Sequence, residues 1–218
     1  MTEYIFEPEP PAALPVLRIG ALYAVRRIFC IGRNYAAHAA EMGNRVTEAP
    51  WFFTKSVKAL ARSGAVLAYP KGTADYHHEV ELVAALGEGG AVWGWATGLD
   101  MTRRDLQAQA KEGRLPWDAA KDVEGGAVIG PLTPATDWAP AEQEITLEVG
   151  GERRQRGRVS EMIHPVDRCL AHLAGLYDLG PGDLVMTGTP SGVGAVGPGD
   201  RLLGRIEGLA PVELELRA

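Results

Sequence analysis

The sequence predicts an α+β fold dominated by β-structure, and three observations carry that expectation. Short apolar stretches rich in Val, Ile, Phe and Trp recur along the chain, each closed by a Gly or Pro cluster. Helical start, period and stop signals coincide in only three segments. Apolar residues make up 46% of the 218, enough for one sizeable core. We read one main domain over residues 21–218, preceded by an N-terminal extension over residues 1–20.

In the extension, Pro8, Pro10, Pro11 and Pro15 remove amide donors and disfavour helix. Residues 25–31 read as a buried strand ending at Gly32. Asn34-Tyr-Ala-Ala-His-Ala-Ala-Glu-Met-Gly43 predicts a short helix, capped by Asn34 and stopped by Gly43. Residues 51–54, 65–69, 78–86 and 92–99 are further strands. Thr102, followed three residues later by Asp105, resembles a capping box for a helix over 102–111. Residues 145–149 and the turn Gly150-Gly151 predict a hairpin. Pro165 opens a helix in which Val166, Leu170, Leu173 and Tyr177 recur every three or four residues. A strand over 183–186 runs into the Gly-rich segment Thr187-Gly-Thr-Pro-Ser-Gly-Val-Gly194, and short strands finish the chain. No internal repeat and no low-complexity linker interrupts it.

Composition narrows the function classes. A net charge of −6, from 22 basic and 28 acidic residues, leaves no basic footprint for nucleic acid. Cys30 and Cys169 form neither a disulfide framework nor a zinc spacing, so we expect buried thiols in a reducing compartment. The acidic, Pro-rich N-terminus does not read as a signal peptide, and no apolar run reaches the about 18 residues a membrane span needs. We expect a cytoplasmic protein with no membrane partner.

The most informative spacing is Glu79-Val80-Glu81. Alternate residues on a strand share a face, so the two carboxylates would point the same way. Their neighbours Val80, Leu82, Val83, Ala84 and Ala85 are apolar, which implies burial. Paired buried carboxylates are costly unless a cation lies between them. Asp100, at the end of the next strand, adds a third. An all-oxygen set with open positions suits Mg²⁺ or Mn²⁺ rather than zinc. His77 and His78 fit no zinc motif and read as supporting residues.

Arg104 and Gln107 are three apart on the predicted helix and share a face one turn beyond Asp100. They suit a substrate carboxylate or carbonyl. His38 and Glu41 are also three apart, so the carboxylate can orient an imidazole that takes a proton from water. Taken alone, such a pair is common on a solvated helix. Its short helix lies between glycines and is suited to opening and closing over a site. Composition alone makes Lys121 a surface lysine. The Gly-rich segment lacks a P-loop lysine, which leaves a tight structural turn or a cradle of amides for a carboxylate.

Six pieces, IGRNYAAHAAEMGN, WFFTK, DYHHEVELV, GLDMTRRDLQ, PWDAAK and GDLVMTGTPSGVG, occur in this order over about three-quarters of the chain. Together they resemble the fumarylacetoacetate hydrolase family. The match is fullest with members that hydrolyse acylpyruvates, through GRNYAAHAAEMG, WGWATGLDMTRRD and TGTPSGVGAVGPGD. The resemblance implies mixed β-sheets rolled into a flattened barrel-like core, a single catalytic domain and a homodimer. It implies Mg²⁺ or Mn²⁺ on Glu79, Glu81 and Asp100, a water-activating pair in His38 and Glu41, and a catalytic Lys121. Arg104, Gln107 and Thr189 fall on substrate-binding or oxyanion positions.

The implied reaction cleaves the carbon–carbon bond of a 2,4-dioxo acid, in the favoured case fumarylpyruvate to fumarate and pyruvate, in the breakdown of aromatic compounds. A second substrate carboxylate would need a distal cation, for which Arg33, Lys55 and Lys58 are candidates. Two departures bear on the pocket. Asp122-Val-Glu-Gly125 replaces a Ser-Phe-Asp-Thr-like run, and Ser56 stands where Pro often follows the lysine of WFFTK. The alternatives are oxaloacetate decarboxylation, 2-oxo-acid hydration or isomerisation at the same site, and a non-catalytic metabolite-binding protein.

Overall fold

The computed structural model describes residues 4–43 and 47–217. Along the chain run β1 (Ala13–Pro15), β2 (Leu22–Ala24), β3 (Arg27–Gly32), α1 (Ala36–Glu41), β4 (Trp51–Lys55), β5 (Leu60–Arg62) and β6 (Ala65–Ala68). Next come β7 (Tyr76–His78), β8 (Val80–Leu86), β9 (Val92–Asp100), β10 (Thr102–Arg103), α2 (Arg104–Gly113), α3 (Asp118–Lys121), β11 (Ala127–Ile129) and β12 (Thr133–Pro134). The chain closes with β13 (Glu144–Val149), β14 (Glu152–Arg158), α4 (Val166–Ala174), β15 (Asp183–Met186), β16 (Gly194–Val196), β17 (Arg201–Ile206) and β18 (Val212–Arg217).

Two large mixed sheets make the body. One has the order β4-β3-β15-β8-β9-β11-β5, with β12 added to β9; the other has the order β14-β13-β17-β18-β6. Their facing sides share a core: even-numbered residues of β8 (Val80, Leu82, Ala84, Leu86) meet Ile145, Leu147, Leu202 and Leu214, with α4 closing one end through Cys169 and Leu173. The opposite face of β8, with Val83 and Ala85, packs on Cys30, Ala127, Ile129 and Met186. Burial on both faces explains why this strand reads as a continuous apolar run rather than an alternating one. The result is the β-dominated, barrel-like architecture expected from the sequence.

Three differences have physical causes. The predicted strand 78–86 breaks at Glu79, where the chain leaves the small sheet β10-β7-β16 and enters the large one. Asn34 does not cap α1. Its amide donates to the carbonyls of His164 and Thr187 and its Oδ1 accepts the His164 N–H, tying three distant segments. Asp105 likewise spends its oxygens on the Thr73 hydroxyl and the Ala74 amide, so Thr102 and Asp105 form no capping box. Within the N-terminal extension, Ala13–Pro15 pair with β2, Val16 bridges Leu132, and Leu14 and Val16 are buried in the core. Among the described residues no helix is long and apolar enough to cross a membrane.

Candidate active site

Three carboxylates meet where β7, β8 and β9 come together. Glu81 is on β8, Asp100 ends the adjacent β9, and Glu79 sits at the β7–β8 switch, where its carbonyl accepts the Asp100 amide at 2.8 Å. All three are buried, with one oxygen from each within 4.8 Å of the others.

Cations surround two of them. Lys121 Nζ lies 2.7 Å from Glu79 Oε2 and 2.7 Å from Asp100 Oδ2, and Lys55 Nζ lies 2.8 Å from Asp100 Oδ1. Arg104 Nη2 donates to Glu79 Oε1 at 2.6 Å, and its Nη1 donates to Gln107 Oε1 at 2.7 Å. Among the described residues, Glu81 accepts only the Gly188 amide, at 2.8 Å. Burial alone would raise the Glu79 carboxyl, but Lys121 and Arg104 together hold it well below the usual carboxylate range. Burial, then the charges of Asp100 and Glu79, push Glu81 well above that range. Burial would lower Lys121, yet Asp100 and Glu79 outweigh it and keep its ammonium charged. An anionic trio with one under-compensated oxygen donor is the chemistry of a hard divalent cation, and these residues fit one.

A small cavity of about 30 Å³ opens over the trio, with Arg104, Gln107, Lys121, Thr189 and His38 in its walls. Larger concavities, such as one of about 640 Å³ over β17 and β18, share none of these groups. His38 is buried, and its Nδ1 lies 3.3 Å from Glu41 Oε2. With Nδ1 committed to the carboxylate, Nε2 is the nitrogen left to take a proton. Glu41 also accepts the Gly192 amide at 3.1 and 3.2 Å. The glycine-rich segment thus does cradle carboxylates, but they are the protein's own Glu81 and Glu41.

The structure does not bring Lys55 or Lys58 to the cavity. Lys55 Nζ has no exposed surface and points at Asp100 and the carbonyls of Met101, Lys121 and Gly126, behind the trio. Lys58 is on the surface, paired with Glu9. Arg33 does line the cavity, in a left-handed backbone conformation (φ 58°), with its guanidinium 5.6 Å from the Trp51 ring and 5.9 Å from that of Trp117. Lys111 and Phe53 are among the wall residues that the sequence does not mark as candidates. Lys111 Nζ lies 5.3 Å from the Trp117 ring, and Phe53 lies under Lys121 Nζ at 5.0 Å. The i, i+4 spacing of Gln107 and Lys111 was the available signal. His77 pairs with Asp75 and His78 with Gln155, away from the cavity.

Comparison with known proteins agrees over nearly the whole chain. The profile described as fumarylacetoacetate (FAA) hydrolase C-terminal matches residues 27–217. A fumarylpyruvate hydrolase from a Ralstonia species is 43% identical over 181 residues, covering 78% of this chain and 94% of that protein. The oxaloacetate tautomerase YcgM of Escherichia coli is 36% identical over 203 residues, covering 87% and 93%. A crystal structure of fumarylpyruvate hydrolase from Pseudomonas aeruginosa, in complex with Mn²⁺ and pyruvate, superposes with a TM-score of 0.94 at 44% identity, over 99% of both chains.

Proposed function

The chain belongs to the fumarylacetoacetate hydrolase family, and from that premise we propose that it hydrolyses an acylpyruvate, fumarylpyruvate first among them, to pyruvate and a carboxylic acid. The observation that carries this reading is the opposition, across one cavity, of the His38–Glu41 pair and the carboxylate trio. Glu79, Glu81 and Asp100 would hold Mg²⁺ or Mn²⁺, which supplies Lewis-acid polarisation of the 2-oxo acid end.

The residues divide the remaining work. His38 Nε2 takes a proton from water as its oxygen attacks the C4 carbonyl, and the carbonyl electron pair moves onto the C4 oxygen. Glu41 stabilises the resulting imidazolium. Lys121 spends two N–H groups on Glu79 and Asp100 and keeps a third for that oxygen. Gln107, whose carbonyl is held by Arg104, turns its NH₂ to the substrate. Collapse of the oxyanion breaks C3–C4, the electron pair leaves with C3 as the enolate of pyruvate, and the proton held by His38 quenches C3. Arg33 and Lys111, both over Trp117, suit a distal carboxylate such as that of a fumaryl group.

Oxaloacetate tautomerisation is the second reading, favoured by the relatives that bear that name. It needs proton transfer at C3 and no attacking water. Acylpyruvate hydrolysis and oxaloacetate tautomerisation, each measured with Mn²⁺ and after its chelation, test both. Metal-dependent turnover of fumarylpyruvate is expected to dominate; turnover of oxaloacetate alone would sink the hydrolase reading.

A further inference from the structure

Of the seven residues of β14, Gln155 alone is fully buried. A register shift opposite Leu147 and Glu148 leaves Arg154 unpaired and turns Gln155 inward. Gly192 (φ 94°) and Gly157 let the glycine-rich segment lie against this strand. A Cβ on Gly192 would meet the Arg154 carbonyl oxygen at 2.1 Å, and one on Gly157 would meet Pro190 Cβ at 2.7 Å.

The bonds of the Gln155 carboxamide have one solution. Oε1 accepts the Val80 amide at 3.0 Å and lies 3.0 Å from His78 Nδ1, while Nε2 lies 2.8 Å from both Thr189 Oγ1 and the Pro190 carbonyl oxygen. An amide N–H only donates and a carbonyl only accepts, so reversing the carboxamide would break both backbone bonds. His78 therefore carries its proton on Nδ1, and Thr189 Oγ1 receives a hydrogen bond. The hydroxyl keeps its own hydrogen, and among the described residues no protein acceptor takes it. Thr189 is 2% exposed and lines the cavity beside Glu79, Glu81 and Asp100.

We propose that Gln155 is a positioning residue for Thr189: by donating to its Oγ it directs the hydroxyl hydrogen into the cavity, as a donor to an oxygen of the bound 2-oxo acid. The proposal rests on the reading of the cavity as a 2-oxo-acid site. It gives the one buried polar side chain of an otherwise exposed strand a role in binding and turnover.

The test uses the full chain loaded with Mn²⁺ and two readouts, pyruvate affinity by titration calorimetry and acylpyruvate kinetics. Thr189→Val should weaken pyruvate on the order of 10-fold, the size of one hydrogen bond to a charged group, with Mn²⁺ affinity unchanged. Thr189→Ser should stay near wild type. Gln155→Glu presents only acceptors to Thr189 and turns its hydrogen back. It should lose as much as Thr189→Val, lose nothing more in the Thr189→Val background, and recover in part on acidification, as the introduced carboxyl regains a donor. Where that variant does not fold, Gln155→Met removes the donor that orients the Thr189 hydroxyl and should show the same non-additivity. Additive losses would reduce Gln155 to a packing residue and overturn the proposal, as would wild-type affinity in Thr189→Val. A chain that binds pyruvate as expected but hydrolyses no acylpyruvate would sink the hydrolase reading alone.

Discussion

Glu81 differs from its two neighbours in the trio: among the described residues, no cation lies within ion-pair distance of it. Its carboxyl, pushed up by burial and by Asp100 and Glu79, holds a proton to a higher pH than an ordinary glutamate when the site is metal-free. A divalent cation must displace that proton, so affinity rises with pH until the proton is gone and falls on acidification. Calorimetry of Mn²⁺ binding in buffers of different ionisation enthalpy should read the release directly; heats independent of the buffer would remove Glu81 as the proton's source. Glu81→Gln should cost more than the roughly 10-fold that loss of an outer partner costs. Arg104 acts on two neighbours at once, with one arm of its fork on Glu79 and the other on Gln107. Lysine cannot span both, so Arg104→Lys should lower kcat/KM on the order of 10-fold despite the retained charge. Kinetics equal to wild type would leave Arg104 as a spectator.

At the scale of the element, α1 forms one side of the cavity. His38 and Met42, from α1 and its C-terminal end, are part of the wall, so a ligand seated over the trio packs against them. Amide exchange across α1 should therefore slow when Mn²⁺ and pyruvate are added together; unchanged exchange would place the ligand away from α1. Within α1, His38→Ala should lose on the order of 10²-fold in hydrolysis, and Glu41→Gln less, with Mn²⁺ affinity intact in both. Equal loss of oxaloacetate tautomerisation in both variants would make the pair a shaper of the pocket. The elements also mark where sequence was readable. β15 was legible to its last residue because Gly182 and the following turn bracket a short apolar run. The hairpin of β13 and β14 followed from Gly150-Gly151. The break at Glu79 was not legible, because a strand buried on both faces loses the alternation that would register a change of sheet. Nor was α3, whose four residues are too few for a helical period. Asn34 and Asp105 carry local cap signatures, yet tertiary donors and acceptors claim them. Lys55 looked like a free cation because nothing local reveals that a lysine is buried against Asp100 and three carbonyls.

At the scale of the whole molecule, the cavity is polarised. Its inner end is the acidic trio from β8, β9 and their junction; its outer end is Arg33, from the turn after β3, and Lys111, from the last turn of α2, both over Trp117 at the start of α3. Burial, then the charges of Arg104 and Arg33, lower the Lys111 ammonium, so this end resists positive charge until an anion joins it. A 2,4-dioxo acid with a second carboxylate supplies that anion, whereas acetylpyruvate ends in a methyl group. Lys111→Met keeps the apolar stem over Trp117 and removes the charge. It should lower kcat/KM for fumarylpyruvate on the order of 10-fold or more and leave acetylpyruvate nearly unchanged, because only the diacid loses a charge-assisted contact. Lys58→Met, on the exposed surface beside Glu9, should alter neither substrate. The pH dependence carries its own sign. A lowered lysine is charged below its shifted pKa and neutral above it, so KM for the diacid should worsen as pH rises through that value while KM for acetylpyruvate does not follow. Parallel losses on both substrates in Lys111→Met would assign Lys111 to the support of Trp117 and leave the distal carboxylate to Arg33 alone.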